Sequence, residues 1–344
     1  MSRHYLSLAT LCCALLQPAW ARDPAPVALP DPFDAATAAA TLVEVSNARA
    51  LKGVKRVAVP QFSVEFVTQD SVSSETSGFA AAGRASVTGY YRLVGVDEPE
   101  FQALATQLYA AFVQALQAQG LEVLTPEQLA AAPTWRKLVA GGVPLPQRAD
   151  SSITVAPPGM ALYGANRMLA NSGKKGTFAS LAALGAGFSA VGEAMDNVTL
   201  AQELDGAALV EVSLRLHFAQ LKNESKGFFG RLSNTAEVSA KLHPILTQAR
   251  LSVQHGSEGA VVSTRQPLLL DPAAFSEVRK QAASGGDIAG AVAVGLLRMA
   301  IGSKDSSSTE KYEVVAEPQR YSERIAANLG QTNAMLIARM VSER

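Results

Sequence analysis

GAALVEVSLRLHFAQL, residues 206–221, sets Val210, Val212, Leu214, Leu216 and Phe218 at every second position, with Glu211, Ser213, Arg215 and His217 between them. Successive side chains of a strand point to opposite faces, so this stretch reads as a half-buried strand with one apolar and one polar face. A helix would scatter the same apolar residues around its circumference. One sheet face is therefore core and needs other elements to cover it.

The clearest cover is EPEFQALATQLYAAFVQALQAQG, residues 98–120, in which Phe101, Leu104, Ala105, Leu108, Phe112, Ala115 and Leu116 recur at spacings of three and four. That period predicts an amphipathic helix, and Gly120 stands where a helix C-cap glycine belongs. Asp97 and Glu98 at its start suit the helix macrodipole and are read as capping residues, not as an acid/base pair. LEVL, 121–124, is a short strand, and Thr125 with Pro126 opens a second helix. Upstream, KRVAVPQFSVEFV, 55–67, alternates as a strand does; Pro60 has no N–H to give to a ladder, which predicts an edge position or a bulge. Residues 68–86, rich in Ser, Thr, Gly and Ala, read as a loop or the tip of a long hairpin. Five prolines and the Gly141-Gly142 pair make 133–158 a long loop.

Downstream, 235–246 and 249–254 read as strands, HGSEG at 255–259 as a turn, and 260–270 as the returning strand of an antiparallel hairpin. Residues 275–281 and 288–301 read as helical, the second interrupted by Gly290 and Gly295. A last helix over 321–340 carries Ile325, Leu329, Leu336 and Ile337 on one face. The predicted class is α/β (α+β): a mixed or antiparallel sheet packed by helices, with Ala/Gly-rich helical insertions.

The main insertion is FASLAALGAGFSAVGEAM, 178–195. No charged residue occurs from 176 to 192, yet Ala and Gly dominate, which is too little apolar surface and length for a membrane span. Gly185, Gly187 and Gly192 give GxGxxxxG, which matches neither phosphate-loop spacing. The stretch therefore reads as a helix whose glycines let another backbone approach, and Gly290 and Gly295 are read the same way.

At the N-terminus, Arg3, an apolar run over 5–16 and Pro18-Ala19-Trp20-Ala21 form the pattern of a secretory signal peptide. The expected regions are a signal peptide over 1–21 and a Pro/Ala-rich tether with a short helix over 22–53. A first strand–helix–strand part of the α/β domain follows over 54–132. The loop and Ala/Gly-rich insertion take 133–203, and the hairpin block and C-terminal helices 204–344. Both cysteines, Cys12 and Cys13, lie in the leader, so the exported chain would hold no thiol for disulfides, metals or nucleophilic attack. Neither follows the small residue that a lipidation site expects. Removing Arg3 with the leader leaves 29 Lys and Arg against 30 Asp and Glu, a balance that excludes an electrostatic nucleic-acid binder.

After the leader the histidines are His217, His243 and His255. His217 shares a strand face with Glu211, Ser213 and Arg215, but same-face neighbours on one strand lie about 6.6 Å apart, too far to make a triad among themselves. His243 and His255 are twelve residues apart with no HxH or HExxH pattern, which gives no metal site. No catalytic, metal or cofactor residues are assigned, and no cofactor is expected. The contact candidates are Phe228, Phe229 and Arg231 in the basic, glycine-bounded KGFFGR tip at 226–231, together with His255 in its turn.

The order of Ala58-Val59-Pro60 with Phe62, a long helix running into GLEVL at 120–124, PEQL at 126–129, DGAALVEV at 205–212, a hairpin and a last helix resembles the periplasmic domain shared by the curli-secretion channel family, the TolB amino-terminal domain and the lipoprotein activators of penicillin-binding proteins. The resemblance implies a small α/β sandwich without a catalytic site that binds other envelope proteins or itself. The expectation is thus a non-enzymatic, exported envelope protein, periplasmic or secreted, with no nucleic-acid partner and with peripheral membrane association left open. A cell-envelope hydrolase with an unrecognised site and an outer-membrane-inserting assembly protein are the alternatives.

Overall fold

The computed structural model describes residues 24–77, 84–164, 195–223, 235–281, 288–292, 296–302 and 306–344. Its centre is a mixed sheet with the order β1 (Val43–Ser46), β10 (Glu258–Thr264), β9 (Ile245–His255), β6 (Ala208–His217), β2 (Arg56–Val67) and β5 (Ser152–Val155). β6 and β2 run parallel, while the other neighbours in this order run antiparallel. Glu122–Val123 adds a short parallel pair to the start of β2. The returning hairpin is β9 with β10, whose ladder closes at His255↔Glu258.

Pro60 sits in a central strand and is accommodated by a bulge: the β6 register passes from Leu209↔Ala58 to Glu211↔Gln61, so β2 holds one extra residue. The bulge switches side-chain parity. Val57 and Val59 before it, and Phe62, Val64 and Phe66 after it, all join the main core. The indole Nε1 of Trp135 donates to the Pro60 carbonyl at 3.3 Å, satisfying a group that the bulge exposes.

α2 (Glu98–Ala118) and α5 (Pro318–Ser342) cover this face of the sheet, and α1 (Ala35–Leu42) packs on α5. Phe112 meets Phe62 at 5.7 Å between centroids, and Phe101 stacks on Phe66 at 4.3 Å. Asp97 forms the capping box with Glu100, so the acidic start of α2 is a cap. The other face is covered near Ala58 and Leu209 by α3 (Pro126–Ala131), α4 (Pro133–Gly141) and a helix over 195–203. Glu203 from that last helix accepts from Thr134 N at 3.0 Å and Thr134 Oγ1 at 2.6 Å, capping α4.

A second β region grows directly from these strands. β3 (Gln69–Ser77) and β4 (Arg84–Val94) form a long hairpin after β2. β7 (Gln220–Asn223) and β8 (Thr235–Lys241) follow β6, and β11 (Phe275–Gln281), β12 (Ile288–Val292), β13 (Leu296–Gly302) and β14 (Ser306–Ala316) lead into α5. They make a five-stranded sheet, β12–β11–β14–β4–β3, and a three-stranded sheet, β7–β8–β13, with β8 and β13 packed on the first sheet. Gly95, at φ +89, joins β4 to α2; a Cβ there would lie 2.1 Å from the Ala316 carbonyl oxygen, so the crossing needs glycine.

Three expectations are corrected. Residues 275–281, 288–292 and 296–301 are in strands, not helices. In β11 the helix-like spacing of Phe275 and Val278 comes from a register irregularity between Phe275 and Glu277. Gly290 accordingly lies in a strand, β12, opposite Lys280, and not within a helix. Residues 133–158 are not one loop, because Pro133 opens α4 from its first turn, where its missing N–H costs nothing, and β5 is buried throughout. Gly185, Gly187, Gly192 and Gly295 lie outside the described residues.

Candidate functional site

The five-stranded sheet alternates as strands must. Val87, Tyr91, Leu93, Tyr312, Val314 and Val278 turn inward and are buried. Tyr91 and Tyr312 stack there at 5.3 Å, and burial, then the nearby Glu310 charge, pushes the Tyr91 phenol up to about 12. Thr88, Tyr90, Arg92, Thr309, Lys311 and Glu313 take the opposite positions. Parallel pairing of β14 with β4 sets Lys311 opposite Tyr90 and Glu313 opposite Arg92; antiparallel pairing of β3 adds Ser71 and Gln69 to the same two rows.

These rows floor an open groove of about 780 Å³, with Asp150 and Ser151 at its wall. The wall is fixed by Thr68 N and Gln69 N, which donate to the Ser151 carbonyl at 2.8 and 3.2 Å, and by the Arg148–Glu98 ion pair at 2.7 Å. A smaller cavity of about 230 Å³ adjoins it and shares Gln69, Arg92 and Asp150. Tyr90 is 48% exposed, an uncommon position for a large ring. Glu313 accepts from Gln281 Nε2 at 2.8 Å, whereas Arg92 and Lys311 have no hydrogen bond or ion pair among the described residues. The groove thus offers an aromatic surface, two cations without partners among the described residues, and three carboxylates, of which Asp70 and Glu313 are engaged by His217 and Gln281.

The residues singled out in the sequence fall elsewhere. His217 closes β6 beside Asp70, with Nε2 to Asp70 Oδ2 at 2.9 Å. Its Nδ1 accepts from Ala219 N at 2.9 Å, which assigns the ring proton to Nε2. Both ring nitrogens are committed, so the imidazole offers no free base. Burial alone would raise the Asp70 carboxyl, but the hydrogen bonds from His217 and the Ser71 N–H, with the nearby Arg215 charge, outweigh it and hold the group below the usual carboxylate range. Glu211 and Arg215 turn to different partners, Asn197 at 3.3 Å and Glu65 at 3.4 Å, so the β6 face is a row of separate polar contacts.

His255 ends β9, and its Nδ1 lies 3.3 Å from the Ala50 carbonyl. This ties the hairpin to the turn at Ala48–Leu51. Phe228, Phe229 and Arg231 lie outside the described residues. Among the described residues no three His, Cys, Asp or Glu side chains group as a metal site.

Tyr90, Arg92 and Lys311 are not among the residues that the sequence singles out: 68–86 reads equally as a loop or as the tip of the long hairpin that β3 and β4 form, and no strand is assigned from sequence to 87–94 or 306–316. A signal was present: Thr88, Tyr90 and Arg92 alternate with the core residues Val87, Tyr91 and Leu93, and Thr309, Lys311 and Glu313 with Tyr312 and Val314. Comparison of the chain with protein-family models, curated proteins and solved structures found no match.

Proposed function

We propose that the chain is an exported, non-enzymatic envelope protein that works by binding, to other envelope proteins or to itself. The observation that carries this reading is the groove over Tyr90: an exposed aromatic ring with Arg92 and Lys311 beside it and Asp150 at its wall makes an open surface that can hold a partner through stacking and ion pairs. The nearest acid–histidine pair, Asp70 and His217, supports the same reading, since both imidazole nitrogens are engaged. The leader pattern at 1–21 supplies the export part of the proposal. The strand–helix–strand resemblance to periplasmic contact domains belongs to it as well.

Insertion into an outer membrane is the second reading, favoured by one feature. β12 and β13 are built of small and apolar residues, and in their twelve positions Arg298 is the one charge. Among the described residues no helix is long and apolar enough to cross a membrane, which leaves strands aside.

Fractionation of cells carrying a tagged copy, with an alkaline wash of the membranes and light scattering of the soluble fraction, separates the two. A soluble exported species that co-purifies with a defined partner, or has a defined multiple mass, is expected. Wash-resistant membrane material would replace this reading with the second.

A further inference from the structure

We propose that β12 pairs edge to edge with the β12 of a second copy of this chain, antiparallel about Gly290, joining the two five-stranded sheets into one. The inference rests on the self-binding arm of the contact reading and uses a surface apart from the groove. β12 (Ile288–Val292) ends the five-stranded sheet and pairs on one side only, with β11. Its outer backbone groups have no ladder partner among the described residues, where β11 is the one element against which it packs extensively. An open strand edge of this kind is a template for another strand.

The other edges show what this one lacks. Among the described edge strands of four residues or more, β1 carries Glu44, β3 Asp70 and Glu75, β7 Lys222 and β13 Arg298. Such charges blunt an edge, because a partner strand would have to desolvate them. Ile288, Ala289, Gly290, Ala291 and Val292 include no charge and no proline. One guarding device is present, a register irregularity between Lys280 and Gln281 that leaves Ala289 out of the β11 ladder, yet Gly290, Ala291 and Val292 keep regular pairing.

The sequence of the strand selects the occupant. Read in either direction it runs large aliphatic, Ala, Gly, Ala, large aliphatic. A two-fold axis at Gly290 therefore sets Ile288 opposite Val292, Ala289 opposite Ala291 and Gly290 opposite itself, the second member of each pair belonging to the other copy. Each position meets one of matching size, and no side chain stands at the axis. An unrelated extended peptide could use the same open backbone groups, but β12 has no charge, hydroxyl or ring with which to choose it. A closed two-fold pair also occupies both apolar edges and stops at two copies, which keeps them from recruiting further chains. A ladder of five residues is a small interface, so the pair belongs at the weak end of specific association.

The test is sedimentation equilibrium of the full chain from about 1 µM to about 1 mM, a span that brackets weak pairing. A reversible monomer–dimer equilibrium is expected. Amide exchange over the same range should slow at 288–292 by at least about threefold at the high end. Two double variants fix the register: Ala289→Lys with Ala291→Lys, and Ala289→Glu with Ala291→Glu. Each alone sets like charges opposite each other and should weaken the dimer about tenfold or more, whereas an equimolar mixture sets unlike charges opposite each other and should recover it. An unchanged thermal melt checks that each variant is folded, and the exchange measurement on the wild-type chain needs no variant. The inference is overturned if the wild type stays monomeric at about 1 mM, grows into open polymers, or pairs without slowing of 288–292. It is equally overturned if the folded double variants dimerise as the wild type does, or if their mixture fails to. A monomer that co-purifies with another envelope protein overturns the pairing and leaves the contact reading in place; wash-resistant membrane material overturns both.

Discussion

At the scale of single residues, Asp70 and His217 join the two parts of the molecule. Asp70 opens the outer hairpin and His217 ends a strand of the central sheet, so their 2.9 Å contact fastens one to the other. Because the folded Asp70 carboxyl lies below its ordinary value, it contributes stability above that value and loses it as pH falls through the folded value. Asp70→Asn should cost about 1 kcal/mol at neutral pH, a modest figure because the carboxyl is 41% exposed and screened by solvent. The difference from wild type should close as acid protonates Asp70; urea titrations at pH 7 and in the acid range measure both arms. Trp135 plays a comparable part at the Pro60 bulge. Trp135→Phe keeps most of the ring volume but leaves the carbonyl without its donor, a loss of about 1 kcal/mol by urea unfolding.

Elements come next, and the joints between them are as specific as their interiors. The turn from β4 into α2 passes under the Ala316 carbonyl at a left-handed glycine. Gly95→Ala combines a disfavoured φ with a direct clash on backbone that cannot rotate away, so a loss of about 2 kcal/mol or more is expected in chemical denaturation. Elements with one strong period were legible: α2 and β6 have the predicted spans to within a few residues, because each lays a single stripe or face on one core. β11 and β12 were misread because bulges disturb their period of two and because Gly and Ala in β12 give no periodic signal. Strand preference depends on the neighbouring ladder more than on the residues themselves, and the neighbours of β11 were invisible locally.

Over the whole molecule, the central sheet carries helices on both faces, with the larger layer formed by α2 and α5. Phe112 is fully buried there against Phe62. Phe112→Ala should cost about 3–5 kcal/mol, read as a lower denaturation midpoint with loss at both the helix layer and the outer sheet if the two parts unfold together. Two separate transitions by far-UV circular dichroism would show instead that the outer β region melts on its own.

The amino-acid sequence alone determined the class of the fold, the helix over 98–118, the strand at its centre and the caps of α2 and α3, because local period and capping chemistry settle these within one element. Tertiary structure decided the outer sheet and the groove. Lys311 reaches Tyr90 only through a parallel pairing of strands more than two hundred residues apart, and Tyr90 and Tyr91, adjacent in sequence, are sent to opposite faces by that same ladder. No local pattern encodes which strand will lie alongside another, since register between distant segments is fixed by the shared burial of their inner faces.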